Sequence, residues 1–218
     1  MKLASQLQAT RAIREKRYPP DLVAAQSEGF RLMKQAHLAK QAKGVGELAP
    51  DFELPDLQGH LFSLQAPLAQ GAVVLTFFPG SWDPYSGLQL DALQQIQPRL
   101  RELGATLIAV TPQQHRLNLM LQQRHGLSFP LLRDFDNQVA RRFGVAVELP
   151  SVMIDYLEQL GMDVPEFNQT PHWVLPMPAT YVIAPDGQIR YAFVDEDFSL
   201  RAEPSEVLSA LQHLGRVR

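Results

Sequence analysis

The chain has 218 residues, 45% of them hydrophobic and 20% charged, with a formal net charge of -3. That composition supports one substantial core and argues against a general nucleic-acid-binding surface. There is no cysteine, which excludes disulfides, thiol catalysis and thiolate metal sites. No apolar run approaches the ~20 residues that cross a bilayer, so no membrane partner is expected.

The opening stretch MKLASQLQATRAIREKRYPP has no apolar signal core. A cytoplasmic location is the expectation. Residues 3–17 and 21–42 read as two helices, broken at Pro19 and Pro20, with Asp21 placed to cap the second. Leu22, Ala25, Phe30, Met33 and Leu38 give that second helix an apolar stripe. All five lysines (Lys2, Lys16, Lys34, Lys40 and Lys43) fall here, and nine Lys or Arg face only Glu15, Asp21 and Glu28. A basic arm for an anionic partner is one reading. A helix face packed on an acidic body, or on a second subunit, is preferred. The pattern divides the chain into a helical extension, 1–44, and a core domain, 45–218.

The core domain opens with KGVGELAPDFELPDLQGHLFSL, read as a boundary and an early hairpin turning at LQGH. GAVVLTFFP is a continuous apolar strand of the kind buried on both faces. A helix follows over 84–102, with Leu88, Leu90, Leu93, Ile96 and Leu100 inward. ATLIAVTP is a second buried strand, and QQHRLNLMLQQRHG a helix ended by Gly126. FPLLRD is a short strand, and DNQVARRFG a short helix ended by Gly144. This alternation implies parallel strands with right-handed crossovers. PSVMIDYLEQLGM reads as a helix, and the rest of 146–176 as an inserted loop. ATYVIAPDGQIRYAFVD is a hairpin around Pro185-Asp186-Gly187. EPSEVLSALQHLG closes the chain as a helix with Pro204 in its first turn.

Three pieces, in order, resemble the peroxiredoxin-like branch of the alkyl hydroperoxide reductase/thiol-specific antioxidant superfamily. They are APDFELPDLQGHLFSL before the first buried strand, FFPGSWDPYSGLQLDAL after it, and PMPATYVIAPDGQIRYAFVDEDFSLRAEPSEVL near the end. The resemblance covers roughly residues 45–215. It implies an α/β thioredoxin-like fold with a mixed central sheet flanked by helices, carrying here a helical N-terminal extension. It also implies a thiol-dependent peroxidase or oxidoreductase, and a homodimer in which the extension forms the interface. In that branch the turn reads Gly-Ser-Trp-Cys-Pro-Tyr-Cys. Here Asp83 and Ser86 stand at both cysteine positions, and Pro79 stands where the family has arginine. Met177-Pro178-Ala179-Thr180 fits the family's proline facing the cysteines, which implies a cis peptide before Pro178.

A thiol belongs at such a helix mouth because unpaired N–H groups and the helix dipole stabilise the thiolate. Asp83 keeps the charge but cannot cycle through sulfenic acid and disulfide. Ser86 needs a neighbouring base to act as a nucleophile, and only a fold contact with His172 would supply one. Asp83 followed by Pro84 is also a favourable helix start in its own right. The candidate catalytic positions are therefore Asp83 and Ser86, both expected to be inactive. Gly80, Ser81, Trp82, Tyr85, Pro178 and Thr180 are the candidate ligand-binding residues, for a small molecule or peptide.

The acidic run Asp195, Glu196 and Asp197 lacks calcium-loop spacing and is read as solvated. Asp136 is read as a helix cap, and Asp134 as a polar group after a strand. No histidine pair has zinc-ligand spacing and no phosphate-binding glycine loop is present, so neither metal nor cofactor is expected. The functional expectation is a cysteine-free, catalytically silent member of the family. The alternatives are a binding or scaffolding protein, new chemistry on Asp83, or a redox-active parent with its cysteines substituted.

Overall fold

The computed structural model describes residues 2–215. Helices α1 (Leu3–Arg17) and α2 (Pro20–Gln35) come first, separated by the extended Tyr18 and Pro19. A 3-10 turn, Leu38–Gln41, leads to the hairpin of β1 (Glu53–Pro55) and β2 (Leu61–Ser63) and the short α3 (Gln65–Leu68). The expected second helix, 21–42, thus ends earlier. His37 takes a left-handed conformation (φ 51) that an α-helix does not contain.

The main sheet has five strands: β3 (Ala72–Phe77), β4 (Ala105–Thr111), β5 (Leu131–Arg133), β8 (Ala179–Ile183) and β9 (Ile189–Val194). Their order is β5-β4-β3-β8-β9. β3, β4 and β5 are parallel, whereas β8 pairs antiparallel with both β3 and β9, with Leu75 opposite Tyr181. The sheet is mixed, as expected. Helices α4 (Pro84–Glu102), α5 (His115–His125) and α6 (Gln138–Arg142) make the connections between and after the parallel strands. Helices α7 (Ser151–Gln159) and α8 (Val164–Asn168) precede β8, and α9 (Pro204–Gly215) follows β9.

Both faces of the sheet are covered, which is why β3 carries no polar alternation. Val73, Leu75 and Phe77 point to one face, packed with Leu22, Phe30 and Met33 of α2 and Met153 and Leu157 of α7. Ala72 and Val74 point to the other, against Leu90, Leu93 and Leu100 of α4 and Val207 and Leu211 of α9. Leu88 departs from its expected place. It packs on α1, in a separate small cluster with Leu3, Leu7 and Tyr85.

The inserted stretch is more ordered than its sequence suggests. β6 (Ala146–Glu148) and β7 (Val174–Pro176) pair antiparallel, with Val147 opposite Leu175. Three-residue strands leave too few positions for alternation to show. No peptide bond among the described residues is cis. The cis bond expected before Pro178 is therefore corrected to trans.

Candidate functional site at the mouth of helix α4

β3 ends at Phe77, and its carboxyl end feeds a turn into α4. Such strand ends are where open α/β sheets place their ligands. Asp83 is the N-cap of α4, extended at φ -79 and ψ 117, with Pro84 at the first helical position. Its carboxylate accepts from the Tyr85 N–H (3.4 Å) and the Ser86 N–H (2.9 Å), two of the unpaired donors of a helix start. The Ser86 hydroxyl donates to the same Oδ2 atom at 2.6 Å.

The fourth donor comes from far along the chain. Arg201, in the loop after β9, places Nη2 2.7 Å from Asp83 Oδ2. The side chains are 0% and 7% exposed, respectively, so this is a buried ion pair. The second guanidinium arm donates to the Phe198 and Leu200 carbonyls. Burial pulls the guanidinium down from its ordinary value, and the charges of Asp83 and Asp197 oppose that pull. The sequence predicts no cation at this mouth, since Pro79 stands where the family has arginine. The structure supplies one from another element.

The remaining candidates divide sharply. Ser81 donates through its N–H (2.8 Å) and hydroxyl (2.9 Å) to Gln113 Oε1, which fixes the turn. Gly80 is buried, and a Cβ there would meet Trp82 Nε1 at 2.5 Å. Trp82 stacks on Phe167, 6.4 Å between centroids and 18° between planes. Tyr85 lies under Leu3 and Leu7, and burial pushes its phenol up to about 12. Thr180 sits inside, where its hydroxyl meets that of Thr76 at 3.0 Å and Gln89 Nε2 donates to both. Pro178 is buried as well. Gly80, Tyr85, Pro178 and Thr180 thus belong to the interior: Tyr85 lies beneath α1, and Thr180 is closed off by Gln89 of α4. His172 is exposed, whereas Ser86 is wholly buried with its hydroxyl committed to Asp83.

One cavity of about 60 Å3 remains beside the mouth, lined by Asp83, Trp82, Tyr85 and Tyr156, with Arg14 and Tyr18 of the N-terminal segment closing it. An open recess of about 1410 Å3 lies elsewhere, between the start of β3, Gly104 and α9. Among the described residues, no cluster of three or more His, Asp or Glu is placed to hold a metal. No helix there is long and apolar enough to cross a membrane.

The model of the AhpC/TSA family matches residues 45–192. The chain belongs to this family. A thiol-disulfide oxidoreductase ResA of Geobacillus thermodenitrificans is 30% identical over 128 residues, 58% of this chain and 72% of that one. Peroxiredoxin Bcp of Escherichia coli is 29% identical over 101 residues, 46% of this chain and 64% of that protein. Among solved structures, Peroxidoxin BcpB from Mycobacterium tuberculosis has a TM-score of 0.60 at 23% identity, covering 78% of this chain and 97% of that one. The bacterioferritin comigratory protein of Xanthomonas campestris gives 0.58 at 21% identity, covering 79% and 99%.

Against this AhpC/TSA background two surroundings of the mouth stand out. The acidic run is not solvated: Glu196 and Asp197 are only 8% and 7% exposed. Asp197 Oδ2 accepts from Arg11 Nη1 of α1 (3.1 Å), and its Oδ1 from the Ser199 N–H and hydroxyl. Glu196 accepts from the Ala39 N–H (2.9 Å), and Asp195 pairs with Lys34 of α2 at 3.7 Å. The run is the acidic body on which the basic extension packs. The other is Asp134, at the carboxyl end of β5. It, and not Asp136, caps the short α6, accepting from the Val139 (2.9 Å) and Ala140 (2.8 Å) N–H groups. Asp136 instead takes a left-handed φ of 55.

Proposed function

We propose that this chain is a member of the AhpC/TSA family without thiol chemistry, in which an Asp83–Arg201 ion pair holds the helix mouth that a reactive thiolate would use. The observation that carries this reading is that both positions assigned to the family's cysteines hold oxygen side chains, in a chain with no cysteine at all. A thiol peroxidase needs a sulfur that is oxidised by the peroxide and then reduced. A carboxylate has no such cycle, and Asp83 Oδ2 already accepts from three donors. New chemistry on Asp83 is disfavoured for the same reason. The reading includes the cytoplasmic setting expected from the sequence.

The test is thiol-dependent turnover of hydrogen peroxide, an alkyl hydroperoxide and a disulfide by the protein as it stands. The expected rate is that of the protein-free blank, and reproducible turnover above it would sink the reading. The double variant Asp83→Cys, Ser86→Cys, assayed alongside, asks a separate question. Activity there would mean that the surrounding mouth is still arranged for a thiolate.

A second reading is favoured by one observation, the 60 Å3 cavity lined by Trp82 and Asp83. In it the mouth binds a ligand and performs no reaction. A cavity of that size suits a few heavy atoms, well below the ~150 Å3 that accepts benzene. The small-molecule expectation therefore stands ahead of the peptide one. Quenching or a shift of Trp82 fluorescence by a ligand library, absent in a Trp82→Phe variant, would support it.

A further inference from the structure

We propose that α1 is a salt-sensitive cover over the old reactive mouth, hinged at Tyr18–Pro19 and latched by the Arg11–Asp197 ion pair. The inference holds whether or not the mouth performs chemistry.

The two N-terminal helices are attached in different ways. α2 places Leu22, Phe30 and Met33 in the main core. α1 buries only Leu3 and Leu7, in the separate cluster with Tyr85 that Leu88 and Ala92 flank. The rest of its attachment is polar. The Ala4 N–H donates to Glu203, which supplies the cap that Lys2 does not. Arg11 reaches Asp197, and Arg14 Nη2 donates to the Tyr156 hydroxyl at 3.0 Å. Ile13 lies 65% exposed on the outer side.

The hinge is short. Tyr18 is extended at φ -91 and ψ 150, as a residue before proline must be, and Pro19 follows at φ -53. Rotation there can move α1 without disturbing α2. Arg14 and Tyr18 line the cavity beside Asp83, so moving α1 unroofs it.

The latch is joined to the mouth. Asp197 holds Arg11 on one side, and its charge also acts on Arg201, the partner of Asp83. One loop therefore carries both the cover's catch and the site's counter-ion. The Arg11 side chain is 42% exposed, which leaves its pair open to screening. Ion pairs of this kind weaken as the Debye length falls from ~10 Å at 0.1 M salt to ~3 Å at 1 M.

The absence of cysteine makes the cover's motion directly measurable. Ala92→Cys places the chain's sole thiol beneath α1. Ala92 is partly buried against Leu3, Leu7 and Tyr85, so the thiol's alkylation rate by neutral iodoacetamide has a closed-state baseline, and its rise above that baseline reports opening of the cover. Ala109→Cys, at a fully buried position in β4, reports global unfolding in the same way. We expect alkylation at position 92 to rise about fivefold between roughly 0.05 and 1 M NaCl. Arg11→Gln should raise it about as much at low salt and remove most of the salt response. Alkylation at position 109 should stay flat throughout. A rate at position 92 indifferent to both salt and Arg11→Gln would overturn the proposal, as would equal rises at both positions. Arg31→Gln breaks the exposed Arg31–Glu28 pair within α2 and should change nothing. A matching rise there would also overturn it.

Discussion

Two buried aspartates sit at the carboxyl ends of parallel strands, and each starts a helix. Asp83 follows β3 and Asp134 follows β5. Asp83 combines backbone donors with a buried guanidinium. Asp134 relies on backbone donors, chiefly the Val139 and Ala140 N–H groups. Burial raises the Asp134 carboxyl above its ordinary value, although the N–H groups and Arg142 act to lower it. A helix start alone, then, does not compensate a fully buried carboxylate. The mouth of α4 adds a buried counter-ion, Arg201, to its backbone donors.

The largest effect that would sharpen this contrast is expected from Asp83→Ala. It leaves Arg201 buried without its partner and should lower unfolding free energy by about 3–5 kcal/mol in urea titration. A loss near 1 kcal/mol, the size of a cap alone, would erase the distinction between the two mouths. The double variant Asp83→Ala, Arg201→Met should recover much of the loss, because an apolar replacement of both members removes the stranded charge. Losses that simply add would mean the two residues are not coupled.

Asp134→Ala should cost less, about 2 kcal/mol, since it strands two N–H groups and no charge. The smallest effect is one of pH, compared between the parent and Asp134→Asn so that other carboxylates cancel. A carboxyl raised on folding binds its proton more tightly in the native state. Its stabilising contribution is complete below the unfolded value near 4 and is lost as pH rises through the raised folded value. The parent should therefore lose stability relative to Asp134→Asn over that interval. The opposite slope would mean that the N–H groups and Arg142 outweigh burial at Asp134.

Much of the fold was legible because its signals are local. The run GAVVLTFFP could only be a strand buried on both faces. Helix α4 starts and ends where Asp83-Pro84 and its inward leucines placed it. The paired strands β6 and β7 were not legible, since their order comes from register across an insertion. At the site, the cap at Asp83 could be read from two adjacent residues. Its partner could not, because Arg201 is brought in by the loop after β9. One hint was present: Arg201 lies between Leu200 and Ala202, just beyond an acidic run and just before a helix-starting proline. The acidic run itself was misread as solvated, because its partners are spread along the first 44 residues. Composition showed the charge asymmetry of that segment without showing which acids would meet it.

The packing of α2 carries a consequence for synthesis. Phe30 and Met33 are finished in a core whose other walls include Met153, Leu157 and Tyr181, and Gly29 is kept side-chain-free by Met153 itself, whose Cε would lie 2.5 Å from a Cβ there. The ribosome delivers α2 long before any of these partners. Its apolar stripe must therefore wait in the emerging chain, exposed, until α7 and β8 arrive. Such long-range closure slows folding and lengthens the period open to association with other chains.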